Sequence, residues 1–304
     1  MRVVEVSEAG GPEVLQVVQR PTPEIGPDDV LVAVQAASIN PTDIGARQGF
    51  VVGGAAEPPY VLGWDFAGAV EQVGARVDRL RPGQPVVGMI PWYAAGGRHG
   101  AYAEQVGVPA DWVVARPDGL SAPDAATLPL NALTAAQMIA LLDLPEGARV
   151  LVTGASGAVG GFAVQLLARA GHAVTAVAGT GDEEWVRSLG AQTVLPRDTD
   201  YAALGRFPAL VDAVPVGAAA FAAVERGGVV AVTRPVDEPP AELGIALRPM
   251  LVEADRALLE HLVGELAAGR LSTRVSATFP LDRAPDAHRA AEEHGRRGKV
   301  LLLP

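Results

Sequence analysis

Val150–Gly161 reads VLVTGASGAVGG. A short β-branched run enters a turn of small residues, and a helix-forming stretch opens directly behind it. Set on the G-x-G-x-x-G fingerprint, Ala155, Gly157 and Gly160 take the three glycine positions, with alanine in the first. A glycine in the second position lets the backbone approach a pyrophosphate, and one in the third lets the helix pack closely on the strand. The phosphates then meet the free N–H groups of the helix N-terminus. The expected cradle is Ala155, Ser156, Gly157, Ala158, Val159 and Gly160. A tight strand-to-helix turn also asks for glycines, but the strand–turn–helix order within one βαβ unit favours a dinucleotide site.

Working outward, apolar strands alternate with helices. Ala158–Ala170 reads as a helix, His172–Ala178 as a strand, Glu183–Leu189 as a helix, then Ala209–Val214 and Gly228–Thr233 as strands. That alternation implies a parallel sheet covered on both faces. Arg256–Ala268 is strongly periodic and reads as the helix closing this unit. The second strand ends in AVAGT, Ala176–Thr180, without the acid that would bind the ribose 2′-OH of NAD. NADPH is therefore expected, with Thr180 and Arg187 the nearest groups to a 2′-phosphate, and NADH is the alternative because Asp182, Glu183 and Glu184 follow.

Upstream the texture differs. Residues 1–120 carry short β-rich runs such as Val30–Ala37, Val61–Val73 and Arg81–Met89, punctuated by Pro-Gly and Gly-Gly turns. Ser121–Leu142 is Ala/Leu-rich and helical in pattern, with Ser121 as its cap. Ser272–Pro304 returns to strand, helix and strand. The division expected is 121–271 as a Rossmann domain, with 1–120 and 272–304 forming a β-rich catalytic domain, an α/β chain overall. With 24 basic against 35 acidic residues, a net charge of −11, nucleic acid is not the expected partner. There is no cysteine, which excludes disulfides and thiolate chemistry. The opening MRVVEVSEAGG lacks a signal-peptide core, and the apolar runs are too short for a membrane span, so a soluble cytoplasmic protein is expected.

Several motifs recur in order: Asn40-Pro41-Thr42-Asp43, Leu62-Gly63-Trp64-Asp65-Phe66-Ala67-Gly68, Pro82-Gly83-Gln84-Pro85-Val86-Val87-Gly88, Gly100-Ala101-Tyr102-Ala103-Glu104, Leu128-Pro129 with Leu133-Thr134-Ala135, the glycine loop, and Arg297-Gly298-Lys299-Val300. Over essentially its full length the chain resembles the zinc-independent medium-chain dehydrogenase/reductase family, in its quinone-oxidoreductase or zeta-crystallin branch. The resemblance implies a GroES-like β-barrel domain built from both chain ends, an inserted doubly wound Rossmann domain, and a homodimer. It implies reduction of quinones or of carbon–carbon double bonds conjugated with a carbonyl, as in enoyl reductases. Zinc-bearing cousins carry Gly-His-Glu where this chain has Gly63-Trp64-Asp65, and no metal site is expected here. The five histidines are dispersed and read as surface or packing residues. Some relatives have tyrosines just after Asn-Pro-x-Asp, where this chain has Ile44-Gly45-Ala46-Arg47-Gln48-Gly49-Phe50.

Hydride transfer needs placement and a donor for the negative charge that develops on the acceptor oxygen. Three side chains are candidates for catalysis. The Asn40 amide can donate to that oxygen, or it can simply form an Asx turn over Pro41. Tyr93, beside Trp92 in a glycine-rich loop, is the phenol considered as proton donor, and Trp92 could stack on a flat acceptor. Thr134 can bind the nicotinamide ribose or carboxamide, or its own helix turn. Asp43 and Asp65 read as structural. Arg297 and Lys299, the chain's only lysine, are the remaining candidates for cofactor phosphates. Two other readings stay open: a non-catalytic NADPH-binding sensor or structural protein, and a zinc-free alcohol/ketone dehydrogenase.

Overall fold

A computed structural model describes residues 1–51, 57–97 and 99–304. The chain divides into two compact units, Met1–Leu130 with Ala254–Pro304, and Asn131–Glu253. Residues 121–130 and 254–271, assigned to the Rossmann domain from sequence, cluster with the first unit. Local contacts explain this. The Leu130 N–H donates to Asp65 at 2.7 Å, and the helix beginning at Arg256 packs on the strand Val113–Ala115.

The first unit begins with β1 (Arg2–Val6), β2 (Leu15–Gln19), β3 (Asp29–Ser38), α1 (Pro41–Arg47), β4 (Tyr60–Val61), β5 (Asp65–Val73), β6 (Pro85–Met89), β7 (Gln105–Pro109), β8 (Val113–Ala115) and α2 (Ala122–Ala126). The helical stretch Ser121–Leu142 holds two helices. Ser121 caps α2, its Oγ accepting from the Asp124 N–H at 3.1 Å, and Pro129 starts a separate helix, α3 (Pro129–Ala140). Proline tolerates the first helical turn, not its interior.

In the second unit α3 leads to β9 (Arg149–Thr153), α4 (Ala158–Arg169), β10 (Ala173–Ala178), α5 (Glu183–Ser188), β11 (Thr193–Pro196), β12 (Phe207–Asp212), α6 (Ala218–Phe221), β13 (Val224–Val232) and β14 (Ala246–Pro249). The described strands form one sheet in the order β11-β10-β9-β12-β13-β14, and every pairing is parallel. Val150, Leu151 and Val152 on the central strand are fully buried, as a strand covered on both faces must be. Strand β13 is interior, and β11 and β14 are the edges. The order reverses beside β9, and ligands of such sheets bind at the carboxyl ends next to that reversal.

The chain then returns to the first unit as α7 (Arg256–Ala267), β15 (Val275–Pro280), α8 (Ala284–Glu292) and β16 (Lys299–Leu303). Strand β16 pairs with β15 and β3, so the C-terminus completes a sheet ordered β15-β16-β3-β5-β6-β8, with β7 also on β3; β2-β1-β4 form a smaller sheet. Among the described residues no helix is long and apolar enough to cross a membrane.

Candidate active site

In the second unit the glycine loop, Thr180 and Asp212 lie at the carboxyl edge of β9, β10 and β12. Gly157 caps α4, whose first N–H groups have no intrahelical partner. The two fingerprint glycines do different work. A Cβ on Gly160 would lie 2.3 Å from the Gly154 carbonyl oxygen, so glycine there is demanded by helix–strand packing. A Cβ on Gly157 would meet only that same oxygen, at 3.2 Å, and its φ of −83° suits any residue. The room left in front of α4 at Gly157 is what a phosphate oxygen needs, and the loop fits a dinucleotide pyrophosphate.

Ser156, expected at the phosphates, has a structural partner too: its Oγ accepts from the Gly179 N–H at 2.8 Å, tying the loop to the end of β10. Thr153 and Asp212 face each other across β9 and β12. Asp212 accepts from the Thr153 hydroxyl at 2.5 Å and from the Gly217 N–H at 3.0 Å, which fixes the turn after β12. Burial raises the Asp212 pKa against the pull of those donors.

Arg197 was missed from sequence. Ala178 and Pro196 are register partners on β10 and β11, so Gly179 and Arg197 stand side by side just past the strand ends. A Cβ on Gly179 would lie 2.9 Å from the Arg197 guanidinium. Thr180 and Arg197 are both exposed, and together they put a hydroxyl and a cation just past the carboxyl ends of β10 and β11. Arg187 is exposed as well, but it lies in the last turn of α5, the end directed away from that edge. Thr134, on α3, is nearly buried at 7% exposure.

In the first unit a polar cluster is sealed inside the barrel. Asn40 caps α1 with Pro41 in the first turn, and the Asp43 carboxylate accepts from the Asn40 N–H at 2.8 Å and the Gly63 N–H at 3.0 Å. The Asn40 amide donates to Asp65 at 2.9 Å and its oxygen accepts from Lys299 Nζ at 2.6 Å. An ammonium on one side and a carboxylate on the other allow only that amide orientation. Asp65 also accepts from the Ser38 hydroxyl at 2.8 Å. Burial pushes Asp43 up to about 7, aided by the charge of Asp65 and opposed by Lys299. Burial likewise raises Asp65 and lowers Lys299 to about 8, against the two carboxylates.

Three sequence assignments are corrected here. Asn40 is 0% exposed and its amide is engaged on both sides, so it is not presented to an acceptor. Lys299 is 6% exposed and turned inward, so it does not bind a phosphate at the surface. Arg297 is exposed in this same unit. Trp92 is also corrected: it is fully buried, its indole N–H donating to the Val61 carbonyl at 2.8 Å, and it offers no face to a substrate.

Tyr93 is different. It is half-buried, and its hydroxyl accepts from Thr42 Oγ1 at 2.9 Å. Its ring stands edge-on to Trp64 and Trp92, with centroids 5.1 and 5.5 Å away. Burial raises its pKa while the Thr42 hydrogen bond lowers it, so the phenol stays protonated at neutral pH. The Thr42 contact brings the loop of Tyr93 onto the Asn40-Pro41-Thr42-Asp43 motif, although no phenol follows that motif in sequence.

The fold recurs in known proteins. The family model "Alcohol dehydrogenase GroES-like domain" matches residues 26–118, and "Zinc-binding dehydrogenase" matches residues 189–302. A 2-methylene-furan-3-one reductase of Solanum lycopersicum is 31% identical over 290 residues, covering 93% of this chain and 73% of its own length. The chain belongs to the quinone-oxidoreductase branch of the medium-chain dehydrogenase/reductase family. Within this family, an NADPH-dependent alkenal/one oxidoreductase, chloroplastic, of Arabidopsis thaliana is 30% identical over 314 residues, covering all of this chain and 80% of its own. The solved quinone oxidoreductase from Coxiella burnetii superposes with a TM-score of 0.89 at 26% identity, covering 100% and 99% of the two chains.

The protein is thus an oxidoreductase of a pyridine-nucleotide-dependent family. The zinc in one family description does not suit its side chains. There is no cysteine, and among the described residues no three His, Asp or Glu side chains gather as a metal requires.

Proposed function

We propose that the protein is a zinc-independent, NADPH-dependent reductase of quinones or α,β-unsaturated carbonyls. The observation that carries this reading is the cradle at Gly157, where the backbone leaves room before the α4 N-terminus at the reversal of the parallel sheet. Relatives named as reductases of a methylene-furanone and of alkenals and enones support the acceptor class. A bound reduced nicotinamide supplies the hydride. The N–H groups at the start of α4 hold the pyrophosphate. Arg197 and Thr180 bind the 2′-phosphate, and the pairing of a guanidinium with a phosphate supports NADPH over NADH. Thr134 is assigned to the nicotinamide ribose or carboxamide.

Tyr93 donates to the acceptor oxygen as negative charge develops there. Its oxygen is already an acceptor for Thr42, which turns the phenol's own proton toward a substrate. For an enone, that donation would stabilise the enolate formed when hydride reaches the β-carbon, and a proton from water adding at the α-carbon would complete the saturated carbonyl. A homodimer is part of the proposal, supported by the open edge at β14 (Ala246–Pro249). The test is acceptor-dependent oxidation of NADPH with 1,4-quinones and 2-alkenals. Turnover with either class, faster with NADPH than with NADH, is the expected result. Saturable NADPH binding without turnover of any acceptor would return the protein to the sensor reading.

A further inference from the structure

Lys299 is the chain's only lysine, buried, and the reaction outlined above gives it no task. The β16–β3 ladder ends at Leu301 opposite Ser38, with one further backbone bond from the Ile39 N–H to the Val300 carbonyl at 3.0 Å. Beyond that point the Lys299 side chain takes over the pairing. Its ammonium donates to the Ile39 carbonyl at 2.6 Å and to Asn40 Oδ1 at 2.6 Å. Asn40 is the cap of α1, and Thr42 lies in the first turn of that helix. A helix of seven residues does not hold itself in water, so its first turn stays where the cap is pinned. Lys299, Asp65 and the Asp43 carboxylate pin it. The turn in turn presents Thr42 Oγ1 to the Tyr93 hydroxyl at 2.9 Å.

We propose that Lys299 is a positioning residue for acceptor reduction: by seating Ile39 and Asn40 it fixes the first turn of α1, and through Thr42 it sets the Tyr93 hydroxyl. The inference rests on the reductase reading above. It differs from simple charge balance, in which Lys299 only neutralises Asp65 and Asp43. Charge balance alone would change how firmly the barrel folds and leave the Tyr93 hydroxyl untouched in every chain that does fold.

The experiment compares Lys299→Met, Thr42→Val and the double variant with the parent protein. Turnover is expressed per NADPH-binding chain, and the carbon-13 Cζ resonance of Tyr93, assigned with Tyr93→Phe, reports the hydroxyl without any acceptor. Loss of one hydrogen bond to the phenol is expected to lower kcat about tenfold in Thr42→Val, with NADPH affinity within about twofold of the parent. Lys299→Met is expected to lose at least as much, and the double variant no more than Lys299→Met alone. Both single variants are expected to move the Tyr93 resonance in the same direction.

Parent-like turnover in Thr42→Val, an unmoved Tyr93 resonance in Lys299→Met, or multiplying losses in the double variant would each overturn the proposal. If Lys299→Met does not fold, the parent protein carries the test. Its single lysine is titrated by NMR, with Asp65, Asp43 and Arg296 the charged groups around it, and Tyr93 must respond at the lysine midpoint. A Tyr93 resonance that ignores that midpoint rejects the idea. A parent protein that reduces no acceptor refutes the reductase reading, and the resonance still tests the coupling.

Discussion

Between about pH 4 and about pH 6.5, burial makes His288 give up a proton on folding and Asp43 take one up, and replacing His288 by glutamine should expose that exchange. His288 is fully buried. Its Nδ1 lies 3.4 Å from Arg47 and its Nε2 3.3 Å from the Tyr102 hydroxyl. Arginine can only donate, so Nδ1 accepts and Nε2 carries the proton. Burial, with the Arg47 charge, lowers the His288 pKa from 6.5 to about 3. The unfolded chain therefore binds a proton that the folded chain refuses, and stability is lost as pH falls from 6.5 toward 3. Asp43 runs the other way: raised from 3.8 to about 7, it holds an extra proton when folded, and its contribution declines as pH rises through that window.

Between about pH 4 and about pH 6.5 the two slopes oppose and largely cancel. In His288→Gln, whose amide can still accept from Arg47 and donate to Tyr102, the histidine slope is gone and the slope of the buried carboxylates, Asp43 with Asp65 and Asp212, remains. Two pH units of histidine titration correspond to about 2–3 kcal/mol. The stability of the parent relative to the variant should fall by that amount between about pH 7.5 and about pH 4.5. Urea unfolding followed by tryptophan emission reads it, because Trp64, Trp92 and Trp112 lie in the first unit and only Trp185 in the second. A parent–variant difference that stays constant across that range would refute the reasoning, and with it the neutral, Nε2-protonated His288.

Arg197→Ala should weaken NADPH and leave NADH nearly unchanged, by about 10- to 100-fold for the loss of a charge-assisted phosphate contact; coenzyme titrations of both forms check it. Gly157→Ala and Gly160→Ala should separate binding from folding. The first should keep the parent's thermal midpoint and lose coenzyme affinity, while the second should cost about 1–3 kcal/mol or more of stability, because its Cβ meets a backbone carbonyl at 2.3 Å. Tyr93→Phe should lower kcat by about 10²-fold with coenzyme affinity preserved, measured in steady state against a 2-alkenal.

The strand–turn–helix pattern around the glycine loop was legible because its demands are local: the three follow within a dozen residues, and Gly160 answers to the close Gly154 carbonyl. The cation proposed for the 2′-phosphate was harder to see. Counting from the loop to the end of β10 reaches Thr180, but the cation stands at the end of β11, brought alongside by a parallel register that connects Ala178 with Pro196. The basic residue closing the run TVLPR was the available signal.

In the first unit the residue types were visible and their partners were not. Lys299 meets Asn40 across 259 positions, and nothing in its Arg-Gly-Lys-Val context separates a surface cation from one that completes a buried cluster. Trp92 looked like a loop aromatic, yet its N–H finds the Val61 carbonyl inside the barrel. Tyr93, its neighbour, is the one whose hydroxyl meets Thr42.

The most direct test of the account follows the hydride itself. NADPH carrying deuterium at the transferable position of nicotinamide C4 is offered with a 2-alkenal, and the saturated product is analysed by mass and by NMR. The account predicts one deuterium per product molecule, on the β-carbon. A reduced product without deuterium there, or label on the carbonyl carbon of an allylic alcohol, would contradict conjugate hydride transfer at this site.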